Sequence, residues 1–202
     1  MELLLKILDE MSMAGILVSL TAYIVGIKFP DWDFKMGLKH RNILTHSPLV
    51  IFILMKLYEG EKSHTFRYFI MGFSLAMAIH FIFDLFPKGW GGGALLKVPI
   101  MGLSLSPKLT KSLFVIFIIG TLFIVVSYTE GVMEFIYLFC LGVFSLMKNL
   151  KKENKFFRPF IAYSLIFIIF GAIKYDSVST YLQTGAKNAT ELGMKYYKTL
   201  KK

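Results

Sequence analysis

The apolar positions of this chain fall into long, nearly unbroken runs separated by short polar stretches. A helix that crosses a membrane needs about 20 mostly apolar residues, with a range of about 17–25. On that measure the pattern predicts spans near Met11 to Ile27, Phe66 to Phe86, Leu113 to Tyr128, Val132 to Met147 and Phe160 to Lys174. A sixth run, Pro48 to Tyr58, is short for a full crossing. It needs tilt, extension through Ile43-Leu44, or shielding by neighbouring helices. Pro87 to Pro107 has another character: Gly89, Gly91, Gly92 and Gly93 open it, and Pro99 and Gly102 interrupt it. A straight helix is disfavoured there, and a protein-shielded re-entrant or interfacial loop is expected.

The last stretch, 176–202, is polar, yet Val178, Leu182, Ala186, Ala189, Tyr196 and Leu200 recur at near-helical spacing. That suits an amphipathic helix on a membrane surface or a partner; a frayed basic tail is the other reading. The expected fold is therefore all-α: a polytopic helical membrane protein with about six transmembrane helices. Residues 1–175 would form the membrane domain and 176–202 the basic amphipathic tail.

Composition strengthens this picture. Of 202 residues, 55% are hydrophobic and 20 are Phe, whereas a soluble domain sits nearer about 45–50% apolar. The single cysteine, Cys140, excludes an intramolecular disulfide and a Cys-type structural zinc site. No small-residue cleavage site follows the first apolar run, so it reads as a retained span rather than a signal peptide. The net charge is +10, but no basic soluble module is present to engage nucleic acid, and none is expected as a partner. Instead the cations flank spans. Loops 28–47, 87–111 and 148–158 carry four, four and five Lys+Arg, against Lys62 and Arg67 alone on the opposite side. The positive-inside tendency makes the first set cytoplasmic, in a multi-pass inner-membrane protein. The lysine-rich tail opposes that assignment, unless the 48–58 segment does not cross.

Against this apolar background one polar stretch stands out: Pro30-Asp31-Trp32-Asp33, then His40-Arg41-Asn42-Ile43-Leu44-Thr45-His46-Ser47-Pro48. His80 and Asp84 lie inside the later Phe66 to Phe86 run, one helical turn apart and on one face. With six crossings, the end of that run returns to the face that holds loop 31–47. Ionisable groups at a membrane boundary are costly and point to function. Each fragment also has a plain structural explanation: Asp31 and Asp33 as turn residues, Ser47 as a helix cap, His80 with Asp84 as an ordinary hydrogen bond. Taken together, Asp31, Asp33, His40, His46, His80 and Asp84 form a His/carboxylate set suited to one or two divalent ions, zinc foremost. Asp31, Asp33 and His46 are the candidate catalytic residues, because a metal-activated water needs a carboxylate to take its proton. Lys39, Arg41 and Lys88, with the hydroxyls of Thr45 and Ser47, are candidates for holding an anionic substrate. The same cations also suit plain headgroup anchoring.

The elements Pro-Asp-x-Asp (Pro30 to Asp33), His-Arg-x-x-Thr-His-Ser (His40 to Ser47) and His-x-x-x-Asp followed by Pro and Gly-Trp (His80 to Trp90) together resemble the LexA-regulated, inner-membrane-associated, metal-dependent hydrolases. The resemblance covers about the first half of the chain, and its most specific part is His40 to Ser47. It implies a prokaryotic membrane protein that binds metal and hydrolyses an ester, without fixing the substrate. Members often carry a histidine at the start of the first helix, where this chain reads Asp9-Glu10-Met11-Ser12-Met13. Substitution by Glu10, a single metal, or loss of hydrolysis would each follow from that departure.

The resulting expectation is a metal-dependent hydrolase of an anionic, phosphate-containing, lipid-like ester at the cytoplasmic face. The alternative is a non-catalytic membrane scaffold or regulator with a structural His/Asp cluster. Membrane lipid is the expected partner; a homo-oligomer and a membrane protein partner are both open.

Overall fold

The computed structural model describes residues 11–87, 89–99, 103–153, 157–180, 182–184, 187, 190 and 194, with the backbone alone at 92 and 149–153. Among them run six α-helices: α1 (Met13–Lys28), α2 (Leu49–Glu61), α3 (His64–Leu85), α4 (Pro107–Tyr128), α5 (Val132–Glu153) and α6 (Phe157–Lys174). No β-strand forms among the described residues; Lys97 makes isolated bridges to Asn42 and Ser104. Helices α3, α4 and α6 are long and apolar enough to cross a membrane, and α1 is a shorter apolar helix.

Helices α3 and α4 begin earlier than their apolar runs suggest, because their polar first turns are capped. Ser12, Ser63 and Ser106 each accept a hydrogen bond from a backbone N–H in the first turn of α1, α3 and α4. Those caps satisfy donors that a helix start otherwise leaves unpaired. Ser106 stands before Pro107, whose fixed φ suits a first helical position.

Helix α3 is the centre of the molecule, buried over most of its length between α1 and α4. Its approach to α1 depends on small residues. A Cβ on Gly72 would collide with the Ser19 carbonyl oxygen, so only glycine permits this backbone contact. Gly72→Ala is expected to lower the unfolding free energy in detergent by about 1–3 kcal/mol, the usual cost of overpacking. An unchanged midpoint in a denaturant titration would refute the close crossing.

The start of α3 is fastened by a buried ion pair. Arg67 donates to both carboxylate oxygens of Glu134 at 2.7 Å and to the Tyr128 carbonyl at 2.7 Å. The Tyr68 hydroxyl donates to Glu134 Oε1 at 2.7 Å. Lys174 at the end of α6 donates to the carbonyls of Val126, Ser127 and Thr129 that close α4. Such a carbonyl-rich helix end favours a cation. These contacts tie α3, α4, α5 and α6 together at the end of α3 remote from His80.

The glycine-rich segment folds as an irregular loop with one 3-10 turn, Gly92–Ala94. It packs on the polar stretch that precedes α2. Ile43 N donates to Lys97 O (3.0 Å) and Lys97 N to Arg41 O (2.9 Å). Lys88 and residues 100–102 lie outside the described residues. In the tail, the described positions through Thr184 continue a helical pattern: the Thr180 and Thr184 hydroxyls donate to the carbonyls of Asp176 and Thr180. Ala186, Ala189, Tyr196 and Leu200 of the expected amphipathic stripe lie outside the described residues.

Candidate metal centre

Three segments build the site. The first leaves α1 through Phe29, which packs against Trp32 and Phe73. Pro30 then starts a 3-10 turn through Asp33. The turn sends Asp31 outward (59% exposed side chain) and Asp33 fully inward. Asp33 Oδ1 accepts from Phe34 N and Oδ2 from Arg41 N, both at 2.7 Å. The carboxylate thereby clamps the loop shut across eight residues.

The second segment turns on Asn42. Its side chain accepts from Leu44 N (3.0 Å), and its carbonyl accepts from His46 N (2.8 Å) and the Thr45 hydroxyl (3.0 Å). This local side-chain bonding is what favours Asn in turns, and it drives His46 into the interior with no exposed surface. Ser47 Oγ accepts from Leu49 N at 3.4 Å as α2 begins. The third segment is the last part of α3, which brings His80 and Asp84.

The proton positions follow from the partners. A carbonyl only accepts, so His80 Nδ1 carries the hydrogen shared with Ile27 O at 3.0 Å. The Thr45 hydroxyl gives its hydrogen to Asn42 O, so His46 Nδ1 donates to Thr45 Oγ1 at 3.1 Å. With Nδ1 carrying a hydrogen in each, the neutral form of either ring presents its lone pair on Nε2. His46 Nε2 lies 3.6 Å and His80 Nε2 3.5 Å from the same atom, Asp84 Oδ2. His80 Nε2 is also 3.9 Å from Asp31 Oδ1. Both His46 Nε2 and Asp84 Oδ2 are buried without a hydrogen-bond partner.

Around His46 two overlapping groups arise, Asp31/His46/His80 and Asp33/His40/His46, each with ligand atoms within 4.8 Å of one another. These His/Asp groups can hold a metal ion. The donor set is mixed nitrogen and oxygen, as zinc accepts. His46 and His80 each have Nδ1 engaged by a neighbour, the arrangement that fixes a ligating tautomer, whereas His40 Nδ1 is buried without a hydrogen-bond partner. His40 Nδ1 lies 3.3 Å from Asp33 Oδ2, and its ring stacks on Phe34 with centroids 5.2 Å apart.

Burial pushes the His46 imidazole down to about 3, with Asp84 opposing and His80, Arg41 and His40 reinforcing the shift. A base with a depressed folded value binds its proton more readily when unfolded. Its stabilising contribution is complete above the unfolded value of about 6.5 and is lost as pH falls toward 3. Chelator-treated protein is therefore expected to lose stability steadily as pH falls from about 6 toward 4. A flat unfolding midpoint between pH 6 and 4 would contradict a buried neutral His46.

Of the expected anion-holding residues, Lys39 is exposed beside the site, and Lys88 lies outside the described residues, as does Glu10. The hydroxyls of Thr45 and Ser47 are engaged within their own loop. Arg41 is buried and occupied: Nη2 donates to Asp84 Oδ1 and Nη1 to Ala94 O, both at 2.6 Å. Its backbone sits in the left-handed region at φ 59, a conformation that costs a non-glycine residue free energy. Sequence reasoning missed three supporting groups. Asn42 was discoverable as a turn former two residues before Leu44; the Ile27 and Ala94 carbonyls carry no residue-type signal.

The chain matches no protein-family model, no curated protein and no solved structure.

Proposed function

We propose that this chain is a metal-dependent hydrolase of the membrane, crossing it up to six times, with a zinc-class ion held by His46, His80 and Asp84 and flanked by Asp31. The site would face the cytoplasm and act on an anionic, phosphate-containing, lipid-like ester. One observation carries the reading. Two imidazole lone pairs and a carboxylate oxygen converge on one buried point, two of the three without a hydrogen-bond partner. Such a convergence is unfavourable until a proton or a cation neutralises it, and two imidazoles with a carboxylate are donors that a divalent ion accepts. The motif resemblance to inner-membrane metal hydrolases points the same way.

When bound, a divalent ion supplies a water nucleophile at neutral pH and polarises the bond under attack. The chain's own groups divide the remaining work. Asp31, at the open edge, is the carboxylate best placed to accept a proton. Asp33 is held by two backbone N–H groups and sets the loop in place. His40, partly exposed, lines the entrance. Exposed Lys39 offers charge to an anionic headgroup.

The test is hydrolysis of a chromogenic phosphate ester that carries acyl chains, presented in detergent micelles to the purified protein. Chelation should abolish turnover and zinc should restore it, while Asp31→Asn should lower the rate by about 10²–10⁴-fold, the usual span for general-base catalysis. Equal rates for wild type and His46→Ala would end the hydrolase reading. A structural role has its own support, since the Arg41 guanidinium is tied to Asp84 and Ala94. As a scaffold, the protein would bind metal with no turnover, and Asp31→Asn would be silent.

A further inference from the structure

The lengths of three helices measure how deep the candidate centre lies. At 1.5 Å per residue, the 22 residues of α3 extend about 33 Å, close to the hydrocarbon thickness of about 30 Å. His80 is sixteen residues beyond His64, so it lies about 24 Å along that axis. Helix α2 starts three residues after His46, and its 13 residues cover only about 20 Å before the turn into α3. Helix α1 rises about 24 Å over 16 residues and ends three residues before Asp31. Its far end is level with the start of α3, because Gly15 lies directly beneath the Tyr68 ring. Tilt only shortens the reach of α1 and α2 along the membrane normal. All three measures stop short of a full crossing.

The exposed side chains agree with that depth. On α2, Leu49, Phe52, Ile53 and Leu57 are exposed from its first residue onward. Lipid-compatible surface thus begins immediately after His46-Ser47-Pro48. Beside the centre, Phe34 (68%), Met36 (58%) and Leu44 (40%) are also exposed. Phe34 stacks on His40, at the mouth of the site. In water three exposed apolar side chains at a catalytic entrance would be a liability; at the headgroup boundary they are a lipid-facing edge. Lys28, Lys35 and Lys39 are exposed on the same stretch, Lys35 over the Trp32 ring, with stems long enough to place their charges in the headgroup layer.

We infer that the centre lies recessed about 6–10 Å inside the hydrocarbon edge, and that its substrate is an anionic two-chain lipid entering sideways from the same leaflet over Phe34, Met36 and Leu44. This rests on the hydrolase reading above and narrows its substrate class. A bond at the junction of headgroup and acyl chains reaches such a depth without lifting the chains out of the bilayer. A water-soluble phosphate ester would have to enter the headgroup layer to reach His46.

Spin labels test both parts. In a Cys140→Ala background, Met36→Cys and Leu44→Cys are labelled and the full chain is reconstituted in phosphatidylcholine/phosphatidylglycerol vesicles. Both labels should collide more with oxygen than with a nickel chelate, as a label at Phe52 should, while a label at Lys62 shows the reverse. Dioleoyl phosphatidate should immobilise the Met36 label of zinc-loaded protein, and glycerol 3-phosphate at equal concentration should not. Nickel-accessible labels at 36 and 44, immobilisation by glycerol 3-phosphate, or no response to phosphatidate overturns the inference. Zinc content is measured on the same samples. Zinc-bearing protein with both labels in water loses this inference and keeps the hydrolase reading. Labels in hydrocarbon on protein that binds no zinc remove the hydrolase reading and the substrate with it, leaving only the depth.

Discussion

Replacing His46 by alanine is expected to lower zinc affinity by more than about 100-fold, and His80→Ala by a similar factor. Loss of groups that merely orient ligands costs about 10–100-fold, and these two imidazoles are the nitrogen donors that face Asp84 Oδ2 among the described residues. His40→Ala should cost less, because His40 is partly exposed and meets the cluster through Asp33. Zinc retained after gel filtration and competition with a chromogenic chelator give the two readouts. His46 is fully buried, so its truncation also leaves a void and a less stable protein. A second measurement separates the effects. A ligand that binds only the folded state raises stability by about RT ln(1 + [L]/Kd), near 2.7 kcal/mol at 100 times Kd. Zinc should therefore raise the melting temperature of wild type and of a void-forming control such as Ile51→Ala, but not of His46→Ala. Equal zinc-induced shifts in wild type, His46→Ala and His80→Ala would mean that no ion is held here.

The helices were legible because each contains an apolar run long enough to register without tertiary information. Their ends were not, since Ser63 and Ser106 extend α3 and α4 through polar first turns that hydropathy counts as loop. Arg67 illustrates the same limit: by type it belongs in a loop, yet Glu134 and Tyr128 accept its protons inside the bundle. Pairing of this kind depends on residues 61 and 67 positions away and leaves no local trace. The meeting of His46 with His80 and Asp84 was legible for a topological reason. Segments on one face can meet, and alternation put both ends there. The contact of the glycine-rich loop with Asn42 and Ile43 was not, because an isolated bridge at Lys97 has no periodic signature.

Arg41 is where residue type and position point in different directions, and its replacement should have the second-largest effect. An arginine beside a His/Asp cluster suggests a phosphate-binding fork. Its fork is instead occupied by Asp84 Oδ1 and the Ala94 carbonyl, while its backbone N–H holds Asp33 Oδ2. One residue thus orients both inner carboxylates. With Oδ1 fixed by Arg41, Oδ2 of Asp84 is aimed at His46 and His80. Arg41→Gln should weaken zinc binding about 10–100-fold, as loss of an orienting group does. It should also destabilise the metal-free protein by about 3–5 kcal/mol, the cost of leaving one member of a buried pair without its partner. Arg41→Lys should rescue only in part, because an ammonium is a point charge and cannot copy the two-pronged contact. Arg41→Gly isolates the backbone contribution: it relieves the left-handed φ of 59 and should be less destabilising than Arg41→Ala by about 1–2 kcal/mol. Zinc titrations and denaturant midpoints on the four variants give these comparisons. If Arg41→Gln bound zinc as wild type does and lost only its affinity for inorganic phosphate, the guanidinium would be an anion contact, and Asp84 would owe its orientation to α3 alone.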